Sequence, residues 1–162
     1  DSLNRILAIA AVHDLLSRED LDTVGIRSVA ETLVSHQQNS FIMPDRRIQF
    51  QVRGQDFRLN MNQATQVALV LNELIMNAIE HGFKSTATGE VHVTVEDTDG
   101  EVSLFVSNNG DQLAPDFNPA KSSHLGLQIV DSLSKSLGGT FTMKDKLGWT
   151  VAEVTFQRVG SE

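Results

Sequence analysis

The sequence contains no cysteine. That excludes disulfides, thiolate metal sites and thiol nucleophiles, and it is compatible with a reducing compartment. Positive charge is scarce: 13 lysines and arginines stand against 21 aspartates and glutamates, for a formal net charge of −8. Proteins that hold nucleic acid generally present a basic surface, so no nucleic-acid partner is expected. An anionic ligand would have to be held locally, by backbone dipoles, a metal or a few cations, against the overall field. Long hydrophobic runs are missing as well. The longest, residues 6–12, falls far short of the roughly 20 residues that cross a bilayer, so no membrane contact is expected. No signal peptide is visible, and a cytoplasmic location is expected. No internal repeat or low-complexity segment stands out. The chain opens inside helix-like sequence, as expected of a piece of a longer protein.

What is present suits one domain. The 162 residues are 40% hydrophobic, enough for a real core. Residues 3–17 place Leu3, Ile6, Leu7, Ala10, Val12, Leu15 and Leu16 at helical spacing, and residues 25–39 form a second, weaker amphipathic pattern. A turn follows around Pro44. Residues 47–53 alternate through Ile48, Phe50 and Val52 as a strand, and Phe57 and Leu59 suggest another short one. The strongest helix spans residues 62–83, where Val67, Val70, Leu71, Leu74, Ile75, Ala78 and Ile79 mark a broad apolar face and Gly82 ends or loosens it.

Two alternating strands follow, through Val91, Val93 and Val95 and then Val102, Leu104 and Val106, joined by a turn at Thr98-Asp99-Gly100. The second runs into Asn108-Asn109-Gly110. Asn-Gly after alternating apolar residues is a hairpin signal, yet a polar loop follows instead of a clean return strand. Residues 125–137 are helical, Gly138-Gly139 stops them, and residues 140–143 and 150–156 close the chain as a strand pair. This order implies an α/β two-layer sandwich, a mixed, mostly antiparallel sheet with helices on one face, preceded by an N-terminal helix. It lacks the regular alternation of a doubly wound fold.

Three places can carry chemistry. Glu73, Asn77 and His81 are spaced four apart, so they share one stripe of the central helix. Taken alone, such a stripe is most simply a solvated face. As a site wall, the carboxylate can polarise water, the amide carbonyl can ligate Mg²⁺, and the imidazole can lie beside an aromatic ligand. "SSHLGLQIV", residues 122–130, opens a helix: Ser122 or Ser123 can cap it, and Gly126 lets a ligand approach the free backbone N–H groups of the first turn, which suit phosphate. "LGWT", residues 147–150, offers a turn glycine and a hydroxyl; on its own it reads as a hairpin turn, with Trp149 as packing.

Taken in order, these pieces gain meaning. A Glu-x-x-x-Asn helix, a strand ending in an Asn/Gly turn, a Leu-Gly-Leu helix start and a late Gly-x-Thr resemble the GHKL ATP-binding domain. That family joins histidine kinases, gyrase-type ATPases, MutL-type proteins and the large heat-shock chaperones. The resemblance covers roughly residues 45–157. Within the family, "ELIMNAIEH" (residues 73–81), "LGLQIV" (125–130) and "LGG" (137–139) resemble sensor histidine kinases of the short-lid subgroup. "ILAIAAVHDLL" (6–16) resembles the second helix of that subgroup's dimerisation and phosphoacceptor hairpin.

The resemblance implies a Bergerat-type ATP-binding fold over residues 46–159, a helical connector over 21–45 and part of the dimerisation region over 1–20. It implies ATP and Mg²⁺ as ligands. Asn77 would hold the metal, Glu73 would orient water or metal, and His81 would flank adenine. Leu125, Gly126 and Leu127 would face the phosphates across a lid at about residues 111–124. Asn108, Gly110 and Thr150 would serve the adenine end. The implied reaction is γ-phosphoryl transfer to a histidine, within a homodimer that serves a response regulator.

Three departures from the family pattern bear on affinity. Asn108 replaces the aspartate that accepts from the adenine amino group. Gln112 replaces the second glycine of that box. Glu80 stands where many relatives carry a lysine, so a cation would come from elsewhere, with Lys84 and Lys121 as candidates. These departures leave open an alternative, a degenerate module with weak or no ATP binding that acts in dimerisation. An anti-sigma-factor-type serine kinase shares the fold, and the helix at residues 6–16 argues against it. His13-Asp14 has the His-acid form of a phosphoacceptor. The subgroup's usual acceptor signature, His-Arg followed by Asn-Asn, appears nowhere here, so the acceptor is expected outside these residues.

Overall fold

The computed structural model describes residues 2–17, 22–40, 47–85, 87–114, 117–119 and 124–159. The turn expected at Pro44, the serines at 122 and 123, Lys121 and parts of the expected lid lie outside them. Eleven elements are described: α1 (Ser2–Ser17), β1 (Thr23–Gly25), α2 (Ile26–Ser40), β2 (Arg47–Gly54), β3 (Arg58–Asn60), α3 (Met61–Gly82), β4 (Thr88–Thr98), β5 (Glu101–Asn108), α4 (Leu125–Ser136), β6 (Thr140–Lys146) and β7 (Trp149–Gln157).

Five strands form the main sheet, in the order β2-β4-β5-β7-β6. β2 and β4 run parallel, because a crossover through β3 and α3 separates them; the other pairings are antiparallel. The mixed sheet with helices packed on one face is the two-layer arrangement expected from the sequence.

Strand alternation sets which face is covered. On β5, Val102, Leu104 and Val106 are buried, and they pair with Phe156, Val154 and Ala152 of β7. The same face of β4 supplies Val91, Val93 and Val95. α3 lies against this layer. Its buried residues include Val67, Val70, Leu71, Leu74, Ile75, Ala78 and Ile79, the face read from its periodicity. Asn60 caps it, accepting from the Gln63 amide at 2.8 Å.

Two tight turns rest on left-handed backbone. Asp99 (φ 52°) and Gly100 (φ 93°) join β4 to β5, and Leu147 (φ 52°) and Gly148 (φ 85°) join β6 to β7. Paired positive φ angles match the right-handed twist of the flanking strands.

β1 was not legible in the sequence. It has three residues, and it exists because Val24 pairs with Leu59 of β3 and both are fully buried. Residues 23–40, which the resemblance implied as connector, contribute to the same core. Val29, Ala30, Leu33 and Val34 of α2 are buried, and the buried Gln37 side chain donates to Asn72 of α3 at 2.7 Å. The start of α2 is capped from a distance: the Asp56 carboxylate accepts from the amides of Arg27 and Ser28 at 3.0 and 3.3 Å. α1 packs on α2 and α3 through Val12, Leu15 and Leu16, while Leu3, Ile6, Leu7 and Ile9 remain exposed.

Candidate functional site

Glu73, Asn77 and His81 lie along one edge of α3, and all three border an open cleft of about 200 Å³ whose far wall is the start of α4, His124 to Leu127. A smaller recess of about 50 Å³ adjoins it at Asn77 and His81. It is lined by Gly82, Asn108, Asp111, Leu113, Met143 and Thr150. The polar stripe is therefore the wall of a cleft rather than a solvated helix face.

The first turn of α4 faces the cleft. Its N-cap residue is His124, whose side chain makes no capping hydrogen bond; Ser122 and Ser123, the caps expected from the sequence, lie outside the described residues. A Cβ placed on Gly126 would meet nothing nearer than Glu73 Oε2 at 3.7 Å and Arg5 Nη2 at 3.9 Å. The backbone there is open to the cleft, as a phosphate site at a helix N-terminus requires.

Glu73 is almost wholly buried, and its carboxylate accepts from Nε of Arg5, a residue of α1. That hydrogen bond is the main cause raising the Arg5 pKa further above its ordinary value. His81 behaves oppositely. Burial, then His124 and Lys84, push its pKa below the ordinary histidine value, so the ring is neutral at neutral pH. It meets His124 edge to face, with centroids 4.4 Å apart.

The inner recess is where the apolar rows of β5 and β7 end in polar residues. Asn108 follows Val106 on β5, Thr150 precedes Ala152 on β7, and the two are register partners. Thr150 Oγ1 donates toward the Asp145 carboxylate at 2.9 Å, with the Asp111 carbonyl at 3.3 Å. A hydroxyl has one hydrogen, so toward a ligand Thr150 acts as an acceptor. Nδ2 of Asn108 is buried with no hydrogen-bond partner among the described residues.

The segment after Asn108 does not enter a hairpin. It is tied to the end of α3: the Asp111 amide donates to the Gly82 carbonyl at 2.5 Å, and the Asp111 carboxylate accepts from the Ser85 amide at 2.9 Å. Asn109 Oδ1 accepts from the Glu90 amide at 2.8 Å. A Cβ on Gly110 would overlap the Gly82 carbonyl oxygen, so this glycine permits the close approach.

Among the residues singled out in the sequence, Glu73, Asn77, His81, Leu125, Gly126 and Leu127 line the outer cleft, and Asn108 and Thr150 line the recess. Gly110 lines neither and packs on Gly82 and Phe83. Arg5, Asp111, Asp145 and Met143 were missed. Arg5 lies 68 residues from its partner, and no local pattern announces such a contact. Asp145 is the fifth residue before Thr150, across the turn between β6 and β7, and that spacing was readable.

Among the described residues, no group of three or more His, Asp or Glu is arranged as a metal cage. The donor set does fit a Mg²⁺ delivered by a nucleotide. Asn77 offers one amide oxygen at the cleft, and such an ion takes its other ligands from phosphate and water.

Residues 62–159 match the family described as histidine kinase-, DNA gyrase B- and HSP90-like ATPase, and the chain belongs to that family. Over 147 residues the chain is 34% identical to the sensor histidine kinase PdtaS of Mycobacterium tuberculosis, covering 90% of this chain and 29% of that protein. The PdtaS kinase of Mycolicibacterium smegmatis is 33% identical over the same length. The chain thus spans under a third of these relatives. In fold it resembles the histidine kinase domain of the Erythrobacter litoralis EL346 blue-light activated histidine kinase, with a TM-score of 0.82 at 18% identity, covering 98% of this chain and 75% of that one.

Proposed function

We propose that this chain is the ATP-binding catalytic domain of a sensor histidine kinase. The γ-phosphoryl group of Mg-ATP passes to a histidine nitrogen outside these residues: the bond from the β,γ-bridging oxygen to Pγ breaks, an N–P bond forms, ADP leaves and the imidazole loses its proton. The observation that carries this reading is the cleft together with the recess that adjoins it at Asn77 and His81. They join a Glu73-Asn77-His81 stripe, a helix start at Gly126 that the His124 side chain leaves uncapped, and the Asn108-Thr150 pair.

In this reading the base enters the inner recess, where Asn108 presents its amide and Thr150 accepts. His81, neutral and half-buried, flanks the base. The phosphates lie toward Gly126, where backbone N–H groups receive them. Asn77 holds the Mg²⁺, which when bound neutralises phosphate charge and orients the triphosphate. Glu73 orients water or the metal's waters. Catalysis is by positioning and electrostatics rather than by a covalent intermediate on this chain. A homodimer, a response-regulator partner and a cytoplasmic setting belong to the same proposal. No helix among the described residues is long and apolar enough to cross a membrane.

Calorimetric titration with Mg-ATP tests the reading. Saturable binding is expected, and a folded sample with none up to millimolar nucleotide would overturn it. Asn77→Ala should weaken the magnesium-dependent part of the affinity; an unchanged titration rejects its assigned role.

A further inference from the structure

The outer cleft presents a charge problem. Its walls carry two carboxylates, Glu73 and Glu80, and its two histidines include one held neutral by burial. Glu80 occupies the helix turn next to Asn77, where a cation would be useful to a triphosphate. Lys84 is exposed and does not line the cleft. Among the described residues that line it, the one fixed cation is Arg5, which arrives from α1.

The Arg5 guanidinium and the Glu73 carboxylate stand side by side at the start of α4. A Cβ at Gly126 would lie 3.7 Å from Glu73 Oε2 and 3.9 Å from Arg5 Nη2, so the guanidinium borders the space over the first turn of α4. The hydrogen bond to Glu73 uses Nε. A guanidinium has five donors in a planar fork, and one engaged edge does not prevent the Nη groups from meeting a second oxyanion. The Glu73 carboxylate, itself almost fully buried, holds the group in place.

We propose that Arg5 is a phosphate-binding residue of this site, so that α1 completes the nucleotide pocket. The proposal rests on the nucleotide reading of the cleft and adds to it. Glu73 acts on Arg5 as an anchor, and Arg5 supplies the charge that Glu80 does not. Nucleotide affinity and the docking of α1 are then linked: a triphosphate favours the state in which α1 is packed on α3, and displacement of α1 weakens the hold on phosphate.

The test is a set of calorimetric titrations with Mg-ATP, Mg-ADP and adenosine, with circular dichroism as the check on folding. The proteins are the parent chain, Arg5→Ala, Arg5→Lys, Glu73→Gln and the double variant. Arg5→Ala should weaken Mg-ATP by about tenfold or more, as expected for a lost charge-assisted hydrogen bond, weaken Mg-ADP less, and leave adenosine within about twofold. Arg5→Lys should keep part of the ATP affinity. Adding Arg5→Ala to Glu73→Gln should still cost ATP affinity, because the contact is with phosphate. An equal loss for all three ligands would mean that Arg5 serves only packing. A loss that vanishes in the Glu73→Gln background would mean that Arg5 only masks that carboxylate. Either result overturns the proposal while the parent chain still binds Mg-ATP. If Arg5→Ala does not fold, Arg5→Lys and Arg5→Gln are read by the same ratios. A parent chain that binds no Mg-ATP overturns the underlying reading, and this proposal with it.

Discussion

Asn108 and Thr150 face each other as register partners on β5 and β7, each at the point where a buried apolar row turns polar. Behind Asn108 lies Gly82 of α3, where a Cβ would stand 2.6 Å from the Asn108 amide nitrogen. The sheet and the central helix thus close on one amide, and Gly82 leaves room for it. A continuing apolar row would have sealed this end of the sandwich. The polar pair opens it as a recess, at the cost of a buried donor without a partner among the described residues.

Asn108→Asp should tighten Mg-ATP binding. A carboxylate accepting from the adenine amino group forms a charge-assisted bond where the amide forms a neutral one. The difference is on the order of 1–2 kcal/mol, or about five- to thirtyfold in affinity. The ligand-free protein should lose stability, because the new carboxylate is buried in a recess whose described lining holds no lysine or arginine. Calorimetry and urea denaturation on both proteins check the two effects. Equal ATP affinities would remove Asn108 from base recognition.

Thr150→Val should both destabilise the protein and weaken ATP. The hydroxyl is bonded to the Asp145 carboxylate at 2.9 Å, and valine keeps the shape but removes that donor, leaving the carboxylate oxygen the Leu113 amide at 3.3 Å. A loss of about 1 kcal/mol in stability is expected. Thr150→Ser keeps the hydroxyl and should preserve most of the ATP affinity. A serine variant as weak as the valine variant would show that the methyl group, not the hydroxyl, matters.

The long periodic elements were legible because each has one covered face: the apolar stripe of α3 and the alternation in β4 and β5 follow from that alone. The stripe of Glu73, Asn77 and His81 was legible for the same geometric reason. β1 was not, because its three residues are held by pairing with Leu59 and by burial, both tertiary facts. Nor was Arg5, whose partner is set by how α1 packs on α3. Asn108-Asn109-Gly110 was recognisable as a turn, but its direction depended on the end of α3. The Asp111 amide bonds the Gly82 carbonyl there, and no local hairpin rule contains that contact.

Gly110→Ala should destabilise the protein, although Gly110 is not among the glycines with positive φ. The added methyl would run into the Gly82 carbonyl and the Phe83 ring, and the first of these is backbone that cannot swing aside. A loss of about 1–3 kcal/mol is expected from such overpacking, read as a lower urea midpoint. The strain falls on the ends of α3 and β5, so Mg-ATP affinity should fall as well. An alanine variant with parental stability and affinity would mean that these two ends are not rigidly joined.

The neutral state of His81 makes a signed prediction about acid. Its folded pKa is lowered by burial first, then by His124 and Lys84, while in the unfolded chain it is ordinary, about 6.5. Above that value both states are neutral and the group contributes no pH dependence. As pH falls below it, the unfolded chain takes up a proton that the folded ring resists, so stability declines until the folded pKa is passed. The effect is modest because the ring is only partly buried, and solvent screens the contributions of His124 and Lys84. Urea unfolding at about pH 7.5, 6.5 and 5.5 should show the parent losing more stability than His81→Asn over this range. Parallel declines in the two proteins would mean that His81 is protonated as readily folded as unfolded, and the neutral ring assigned beside the nucleotide base would be wrong.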